Sequence, residues 1–303
     1  MLTGERILVT GVTGRVAKPI ALALAADNQV IGAARFSDPA TRDELSAGGI
    51  ECVPVDLVHG DLSGVPDDVT VVLNFGVVKS GRFDDDLAGN VEALGLLMER
   101  CSGARAILHC SSTAVYQPNG HRAFVETDPL GDNHRVLPGL DTYSISKIAA
   151  EAMCHYASRR FGLPATIARL NVPYGSNGGW PSRHLDTILG HQPIPVHVDA
   201  PSVYNPIHED DLLLQIEPLL DAADTPPTVV NWGGSDAVSI EDWCGYLGEL
   251  VGIEPDFAPT EATLESVTVD VTKLTSIVGP ATVRWRDGFR RMVEARHPQA
   301  LRA

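Results

Sequence analysis

The feature that most constrains the fold is a glycine-rich turn after the first apolar run. RILVTG (6–11) has the length and composition of a buried strand, and RVAKPIALALAAD (15–27) has apolar residues at helical spacing. Between them, Gly11 and Gly14 allow a strand to turn tightly into a helix whose N-terminus attracts phosphate. A strand, a glycine turn and a helix in this order predict a dinucleotide-binding loop.

The first half of the chain repeats the alternation of strand and helix. Strands are predicted at 29–35, 50–57, 69–76, 104–112 and 165–172, and helices at 90–101 and 144–161. Strands that are apolar throughout and alternate with helices are typical of a parallel sheet covered on both faces. The sequence therefore predicts an α/β fold with a doubly wound parallel sheet.

The regular alternation is lost after about Pro173. Glycine, proline and histidine become frequent there, although helices are still predicted at 239–252 and 284–296. We expect residues 1–172 to form the dinucleotide-binding domain. Residues 173–303 are expected to form a smaller, irregular substrate-binding portion, with some strands and helices returning to the main sheet.

Composition narrows the possible partners. The formal net charge of -16 and the pI near 4.9 disfavour binding to nucleic acid or to an anionic membrane surface. The five cysteines are widely spaced without a CxxC pair, so we expect free thiols in a reducing, cytoplasmic setting. No histidines and cysteines stand at zinc-ligand spacing, so no metal site is predicted. The expected partner is a small-molecule substrate.

The end of the second predicted strand bears on the choice of cofactor. An acid at this point usually holds the ribose 2′-hydroxyl of NAD, whereas an arginine accommodates the 2′-phosphate of NADP. Here Ala34 takes the place of the acid and Arg35 follows it. This pair favours NADP(H), with NAD(H) possible; the alternative is that Arg35 is only a solvated loop residue.

Tyr143 and Lys147 stand four positions apart at the start of a predicted helix. Alone, such a pair is usually a solvated surface pair. Beside a dinucleotide, however, a lysine one turn away would favour the phenolate and make the tyrosine an acid and base for a carbonyl and its alcohol. Ser112, at the end of a strand on the ligand-binding edge, is placed to donate to the substrate oxygen.

These motifs together resemble the extended short-chain dehydrogenase/reductases, the NAD(P)-dependent epimerase/dehydratase family. The resemblance spans nearly the whole chain and implies a Rossmann domain that binds NADP(H) or NAD(H). It rests on TGVTGRVA (10–17), VDL (55–57), NFG (74–76), Asn90, SSTAVY (111–116), YSISK (143–147), RLNVPYG (169–175) and NPIHEDDL (205–212).

The resemblance implies roles for individual positions. The catalytic residues that it implies are Ser112, Tyr143 and Lys147. The expected cofactor contacts, which include the residues of the glycine turn and Arg35, are Gly11, Thr13, Gly14, Arg15, Val16, Arg35, Asp56, Leu57, Asn74, Phe75, Gly76, Lys79, Asn90, Tyr143, Lys147, Asn171 and Val172. Candidate substrate contacts are Ser112, Thr113, His134, Arg135, Tyr174, Arg183 and Tyr204. A homodimer through the helix that bears Tyr143 is also implied.

Departures from the family pattern bear on the reaction. The run Ser112–Ala114 lacks the acid pair of the sugar dehydratases, which disfavours dehydration. Tyr204 and Asn205 stand where nucleotide-sugar enzymes commonly carry a diphosphate-binding arginine, for which Arg183 is a possible substitute. The favoured function is an NADP(H)-dependent reductase or dehydrogenase. The alternatives are a nucleotide-sugar 4-epimerase with tightly bound NAD and a non-catalytic NADP-binding sensor, which would tend to have lost the tyrosine.

Overall fold

Seven parallel strands form the central sheet of the computed structural model, which describes residues 2–302. The strands of the chain are β1 (Arg6–Thr10), β2 (Gln29–Ala34), β3 (Ile50–Pro54), β4 (Val71–Asn74), β5 (Ala106–Ser112), β6 (Ala165–Leu170), β7 (Val172–Gly175), β8 (Gly178–Gly179), β9 (Ile194–His197), β10 (Val203–Tyr204), β11 (Pro206–His208), β12 (Thr228–Trp232), β13 (Val238–Ser239) and β14 (Phe257–Thr260). The order across the central sheet is β12-β6-β5-β4-β1-β2-β3.

Helices cover both faces of this sheet. They are α1 (Ala17–Leu24), α2 (Pro39–Ala47), α3 (Phe83–Leu87), α4 (Ala93–Arg100), α5 (Tyr143–Phe161), α6 (Trp180–Leu189), α7 (Glu209–Asp221), α8 (Ile240–Val251), α9 (Thr272–Val278) and α10 (Trp285–Arg296). A π-helical turn, Ala88–Glu92, joins α3 to α4, and short 3₁₀ turns occupy Thr113–Val115 and Pro298–Ala300. Within residues 2–302, no helix combines the length and the apolar character needed to cross a bilayer.

Alternation along the strands divides the core between the two faces. In β1, Ile7 and Val9 pack in a cluster with α1 and α7, whereas Leu8 packs on the opposite face with α4 and α5. Successive side chains of a strand point to opposite faces, so a strand buried on both sides must be apolar at every position. The doubly wound α/β fold predicted from these runs is confirmed.

The strand order reverses direction at β1, which pairs with β2 on one side and with β4 on the other. The loops that follow β1 and β4 therefore leave in opposite directions and open a crevice at the carboxyl edge. Thr10 bridges the crevice floor, because its hydroxyl donates to Asn74 Oδ1 at 2.6 Å and accepts from the Gly76 amide at 3.0 Å. This edge is where a parallel sheet of this kind binds its ligands.

The chain after β6 is more regular than its composition predicts. Strand β12 returns to the central sheet beside β6, and α6, α7 and α9, which the sequence analysis did not predict, all form. Around Trp243 and Phe289, which are fully buried, a separate apolar cluster holds α6, α8 and α10 together. Prolines and glycines at the ends of the elements made these helices hard to predict from the sequence. In α6, for example, Pro181 lies in the first turn and Gly190 follows the last residue.

Candidate active site

The glycine turn brings the ends of β1 and β4 into contact. Gly11 has φ of +66°, and a Cβ there would lie 2.8 Å from the Cα of Gly76, so the turn has no room for a side chain. Beyond it, α1 starts without a side-chain N-cap and without an acidic residue in its first turn. The Gly14 amide donates to the Gly11 carbonyl at 2.8 Å, so the first amides of α1 and the helix dipole remain available to an anion near Arg15 and Val16.

A cavity of about 120 Å³ lies on the β2 side of the turn and is the predicted adenosine site. Its lining includes Gly11, Thr13, Ala33, Ala34, Arg35, Val55, Asp56, Leu57, Gly76, Val77 and Val78. The side chain of Arg35 is exposed at its rim, and no acidic residue follows β2 at this point. The carboxylate of Asp56 is engaged elsewhere, because it accepts from the Val58 amide at 3.0 Å and lies 3.2 Å from His59 Nδ1.

The three predicted catalytic residues line one cavity of about 360 Å³ on the other side of the turn, named the reaction cavity after the chemistry predicted for them. Ser112 ends β5, Tyr143 begins α5, and Lys147 follows one turn later on the same helix face. Phe75, Val16 and Asn171 also line this cavity. The carboxyl end of β5 and the start of α5 therefore bring together Ser112, Tyr143 and Lys147, although Ser112 is distant from the other two in the chain.

The protonation state of the Tyr143 phenol differs from the sequence expectation. Burial raises the pKa of Tyr143 to about 12, and the neighbouring Ser112 hydroxyl only partly opposes this. The sequence argument expected Lys147 to lower this pKa. Instead, the Lys147 ammonium donates to the Cys110 carbonyl oxygen at 2.8 Å, and burial lowers the pKa of Lys147. At neutral pH the phenol is therefore a proton donor.

Lys79 and His134 flank the phenol. Lys79 Nζ lies 4.3 Å from the centroid of the Tyr143 ring, and the His134 ring centroid lies 5.5 Å away. Desolvation, then repulsion from Lys147, Arg183 and Arg15, lowers the pKa of Lys79 to about 8. Burial lowers the pKa of His134 to about 4, so its imidazole is neutral at physiological pH.

An adjoining cavity of about 230 Å³ shares Arg15, Val16, Asn171 and Pro173 with the reaction cavity. Val172, Tyr174, Trp180, Arg183 and Glu209 complete much of its lining. Neither Arg15 nor Arg183 has an ion-pair partner among residues 2–302. The two guanidinium groups are therefore free to meet an anionic part of a cofactor or substrate.

Two tyrosines that the sequence nominated for substrate contact are used inside the fold. Tyr204 is 2% exposed, and its hydroxyl donates to the Glu265 carbonyl oxygen at 2.7 Å. Tyr174 is equally buried, and its ring packs edge-on against His208 and Phe289. Burial in the C-terminal apolar cluster keeps the Tyr204 side chain away from the reaction cavity.

Asparagine and threonine side chains at predicted contact positions mostly satisfy backbone groups. Asn90 pairs with both the amide and the carbonyl of Val78, each at 2.8 Å, and so fixes the loop that carries Lys79. Asn171 Nδ2 donates to the Val267 carbonyl at 2.7 Å. Thr113 is buried, and Arg135 is exposed outside the reaction cavity.

The sequence analysis missed a buried group of charged residues that adjoins the predicted catalytic residues. Glu151, one turn after Lys147, is 3% exposed and accepts from Ser111 Oγ at 2.5 Å. Arg169 donates to the same carboxylate from Nε at 3.0 Å and from Nη2 at 2.8 Å. The available signal was the i, i+4 spacing of Lys147 and Glu151 on the predicted helix.

Comparisons with known proteins agree with this architecture. The family model described as "NAD dependent epimerase/dehydratase family" matches residues 7–196. UDP-glucuronic acid 4-epimerase from Bacillus cereus, solved with UDP-glucuronic acid and NAD, is 21% identical with a TM-score of 0.81 and covers 95% of this chain and 98% of its own.

Two further solved structures are similar. MoeE5 with UDP-glucuronic acid and NAD is 24% identical, with a TM-score of 0.79 and coverage of 97% and 99%. UDP-N-acetylglucosamine 4-epimerase from Methanobrevibacter ruminantium M1 is 15% identical, with a TM-score of 0.84 and coverage of 98% and 100%. No curated protein gives a significant match. Because the family model matches well over half of its residues, the chain belongs to the NAD dependent epimerase/dehydratase family.

Proposed function

We propose that this protein is an NAD(P)-dependent oxidoreductase that interconverts a carbonyl and an alcohol, with Tyr143 as the acid and base. The observation that carries the proposal is the placement of Ser112, Tyr143 and Lys147 in one cavity beside the glycine turn. A phenol, a hydroxyl and an ammonium around one oxygen position suit the protonation of a forming alkoxide.

The residues present fit a dinucleotide. Gly11 lies too close to the Gly76 backbone for a Cβ, so the turn after β1 stays tight, and the uncapped start of α1 offers amide donors for a pyrophosphate. Arg15 is free to pair with it, and the cavity at Arg35 would hold the adenosine. When bound, the nicotinamide supplies or accepts the hydride.

The roles of the protein groups follow from their protonation. Ser112 would donate to the substrate oxygen and hold it near the Tyr143 hydroxyl. With the phenol pKa raised to about 12, Tyr143 is ready to give a proton at neutral pH, which suits carbonyl reduction. Oxidation needs the phenolate, so we expect it to gain rate as the pH rises.

Turnover of a substrate panel tests the proposal. Consumption of NADPH and NADH would be followed with aldehydes, ketones and nucleotide sugars. Wild type should reduce at least one class, whereas Tyr143→Phe should lose about 10²–10⁴-fold in kcat with cofactor affinity nearly unchanged. If Tyr143→Phe keeps substantial activity, the acid assigned here is wrong.

We favour NADP(H) over NAD(H) on the chemistry of the adenosine cavity. Arg35 lies at the rim of this cavity. Asp56 is the one acidic residue in the cavity lining, and its carboxylate already accepts from the Val58 amide. A planar guanidinium suits a phosphate monoester. The similar structures contain NAD, so the ratio of the two dissociation constants is the deciding measurement.

A nucleotide-sugar 4-epimerase is the second candidate, favoured by the overall similarity to two such epimerases. It would retain NAD through oxidation, rotation and reduction of one substrate. Tyr204 is buried at the position where an epimerase would be expected to carry its diphosphate-binding arginine, which argues against this candidate. The unpaired Arg183 in the adjoining cavity argues in its favour. NAD that co-purifies with the protein, together with 4-epimerisation of a UDP-sugar without added cofactor, would favour the epimerase.

We also propose a homodimer through α5. This helix exposes Ile145 and Tyr156, whose side chains are 41% and 60% exposed. Large apolar residues exposed on a helix suit a subunit interface. Light scattering on wild type and on Tyr156→Glu should give a dimer and a monomer, respectively; a monomeric wild type would contradict the proposal.

A further inference from the structure

Hydrogen bonds from both its backbone and its ring hold His134 beside the predicted catalytic residues. Its backbone amide donates to Ser144 Oγ at 3.3 Å, and its Nδ1 lies 2.5 Å from Asn133 Oδ1. The other end of the Asn133 amide, Nδ2, donates to the Thr113 carbonyl at 3.0 Å. Because Thr113 directly follows Ser112, these bonds tie the imidazole to the strand end that carries the predicted catalytic serine.

These bonds also fix the tautomer of His134. Asn133 Nδ2 donates to a carbonyl, so Asn133 Oδ1 is the acceptor that faces the imidazole. Nδ1 of His134 therefore carries the hydrogen. Burial lowers the pKa of His134 to about 4, so the imidazole is neutral at physiological pH and its Nε2 keeps a free lone pair.

Nε2 of His134 has no partner within the protein. Neither Lys79, which lies over the Tyr143 ring, nor any other group of residues 2–302 donates a hydrogen bond to it. Unlike Nε2 of His109, it is not closed off from solvent, and His134 lines the reaction cavity. A ligand in this cavity therefore meets an unoccupied hydrogen-bond acceptor beside Tyr143.

The other polar side chains of the reaction cavity leave few acceptors. Arg15 can only donate, Lys147 donates to a backbone carbonyl, and within residues 2–302 no aspartate or glutamate lines the cavity. Asn171 Oδ1 already accepts from a backbone amide at 3.0 Å. Nε2 of His134 is thus the group that calls for a donor on the ligand. The guanidinium of Arg15 disfavours a positively charged donor, which leaves a neutral one such as a hydroxyl.

We propose that His134 is a specificity-determining residue, whose Nε2 accepts a hydrogen bond from a second hydroxyl of the substrate while the reacting oxygen lies at Ser112 and Tyr143. The substrate class is then a hydroxylated aldehyde or ketone, or the corresponding diol. The centroids of the imidazole and phenol rings are 5.5 Å apart, so the two oxygens belong on nearby carbons. This inference rests on the proposed oxidoreductase function and specifies its substrate class.

Two diols and their matched fluoro alcohols test it: cyclohexane-1,2-diol with 2-fluorocyclohexanol, and cyclohexane-1,3-diol with 3-fluorocyclohexanol. Fluorine is close to a hydroxyl in size but cannot donate a hydrogen bond. Dissociation constants would be measured by ligand-observed NMR on Tyr143→Phe loaded with whichever of NADP⁺ and NAD⁺ it binds more tightly. At least one diol should bind about 2- to 10-fold more tightly than its fluoro partner, as expected for one net hydrogen bond. Equal affinities within both pairs would overturn the proposal.

Variants in the Tyr143→Phe background assign the preference to one residue. His134→Phe should bind the diol and its fluoro partner with equal affinity, since the acceptor is gone. His155→Phe removes a histidine that lies on the same helix as Tyr143 but does not line the reaction cavity, and it should keep the preference of its parent. A preference for the diol that survives His134→Phe would contradict the assignment.

Nitrogen-15 spectra of the imidazole give a second readout, which keeps the ring in place. The His134 signals, assigned by their absence from His134→Gln, should show a protonated Nδ1 and an unprotonated Nε2. The diol, and not the fluoro alcohol, should move the Nε2 signal, because accepting a hydrogen bond shields this nitrogen. A protonated Nε2 would overturn the proposal. An Nε2 signal that moves with the cofactor and not with the diol would do the same, because an amide of the cofactor would then occupy the acceptor.

Turnover separates this inference from the proposed function. A diol preference that depends on His134, without oxidation of any probe by wild type, would keep the hydrogen-bond site and contradict the oxidoreductase assignment. Oxidation of the probes with the same ratio of kcat/KM for diol and fluoro alcohol in wild type and His134→Phe would support the oxidoreductase and overturn the role of His134.

Discussion

The ammonium of Lys79 lies over the ring of Tyr143, 4.3 Å from its centroid. A cation on the ring face is attracted to the π electrons. Lys79 thus acts on the phenol from a different direction than Lys147, whose ammonium is bound to the Cys110 carbonyl. Two lysines therefore line this cavity together with Arg15, and the lysine on the ring face of Tyr143 comes from the loop after β4.

Cofactor binding is expected to take up protons because of Lys79. Its pKa of about 8 in the free protein reflects desolvation and three neighbouring cations. An anionic dinucleotide would raise this pKa, so binding adds a proton at a pH slightly above 8, and affinity falls as the pH rises through that value. Calorimetry in buffers of different ionisation enthalpy measures the uptake.

The matched variants are Lys79→Met and Lys273→Met. Lys273 lies outside the reaction cavity, with its ammonium on the Val229 carbonyl. Proton uptake should fall in the first variant and persist in the second. Undiminished uptake in Lys79→Met would assign the titration to another group.

Arg35→Asp should reverse the cofactor preference. The aspartate would repel a 2′-phosphate and accept from a ribose 2′-hydroxyl, since Arg35 stands at the rim of the adenosine cavity. Loss of charged hydrogen bonds of about 1.5–3 kcal/mol corresponds to a roughly 10- to 100-fold weaker affinity for NADPH. Fluorescence titration with NADPH and NADH measures both constants.

Arg42→Asp provides the control, since Arg42 carries the same charge on the neighbouring helix α2 and is absent from the cavity lining. Its NADPH affinity should stay close to that of wild type. An Arg35→Asp protein with unchanged preference would mean that Arg35 is only a solvated loop residue.

Ser112→Ala should lower kcat more than it changes cofactor affinity. The hydroxyl accepts from the Ala114 amide at 3.2 Å and also adjoins the Tyr143 phenol, so its loss removes both a turn cap and a donor to the substrate. We expect about 10- to 100-fold lower kcat, with rescue in Ser112→Thr, which restores the hydroxyl. Steady-state kinetics and thermal unfolding of both variants separate catalysis from stability; equal kcat in wild type and Ser112→Ala would exclude Ser112 from the reaction.

The parts of the site that follow local rules were predictable from the sequence. The turn at Gly11 needs only a strand before it and a helix after it, and the shared face of Tyr143 and Lys147 follows from helical spacing. Ser112 joins them because carboxyl ends of parallel strands meet at one edge. The general fold was predictable for the same reason.

Contacts set by tertiary packing were not predictable. The position of Lys79 depends on the loop that Asn90 fixes, and neither periodicity nor spacing reports such a contact. The burial of Tyr204, an expected substrate contact, was likewise not predictable, because it results from packing of the ring against Trp180 and Trp243. Asp132 lines one small cavity with Glu261 and Glu265, which are distant from it in the chain, so this grouping emerged only from the structure.

The buried ion pair of Glu151 and Arg169 is expected to stabilise the edge of the sheet that carries Ser112. Their side chains are 4% and 5% exposed, and Ser111, the neighbour of Ser112, donates to the same carboxylate. Glu151→Ala would leave the Arg169 guanidinium buried without its partner, at a cost of about 3–5 kcal/mol in the free energy of unfolding. Urea denaturation followed by circular dichroism measures it.

Asp68→Ala is the comparison, since it breaks the solvent-exposed pair with Arg6. Its cost should be at most about 1 kcal/mol, because water already solvates both charges. Replacing both buried partners, as in Glu151→Met with Arg169→Met, should recover part of the stability, since no unpaired charge remains. If Glu151→Ala unfolds at the same urea concentration as Asp68→Ala, the buried pair does not stabilise the sheet edge that carries Ser112.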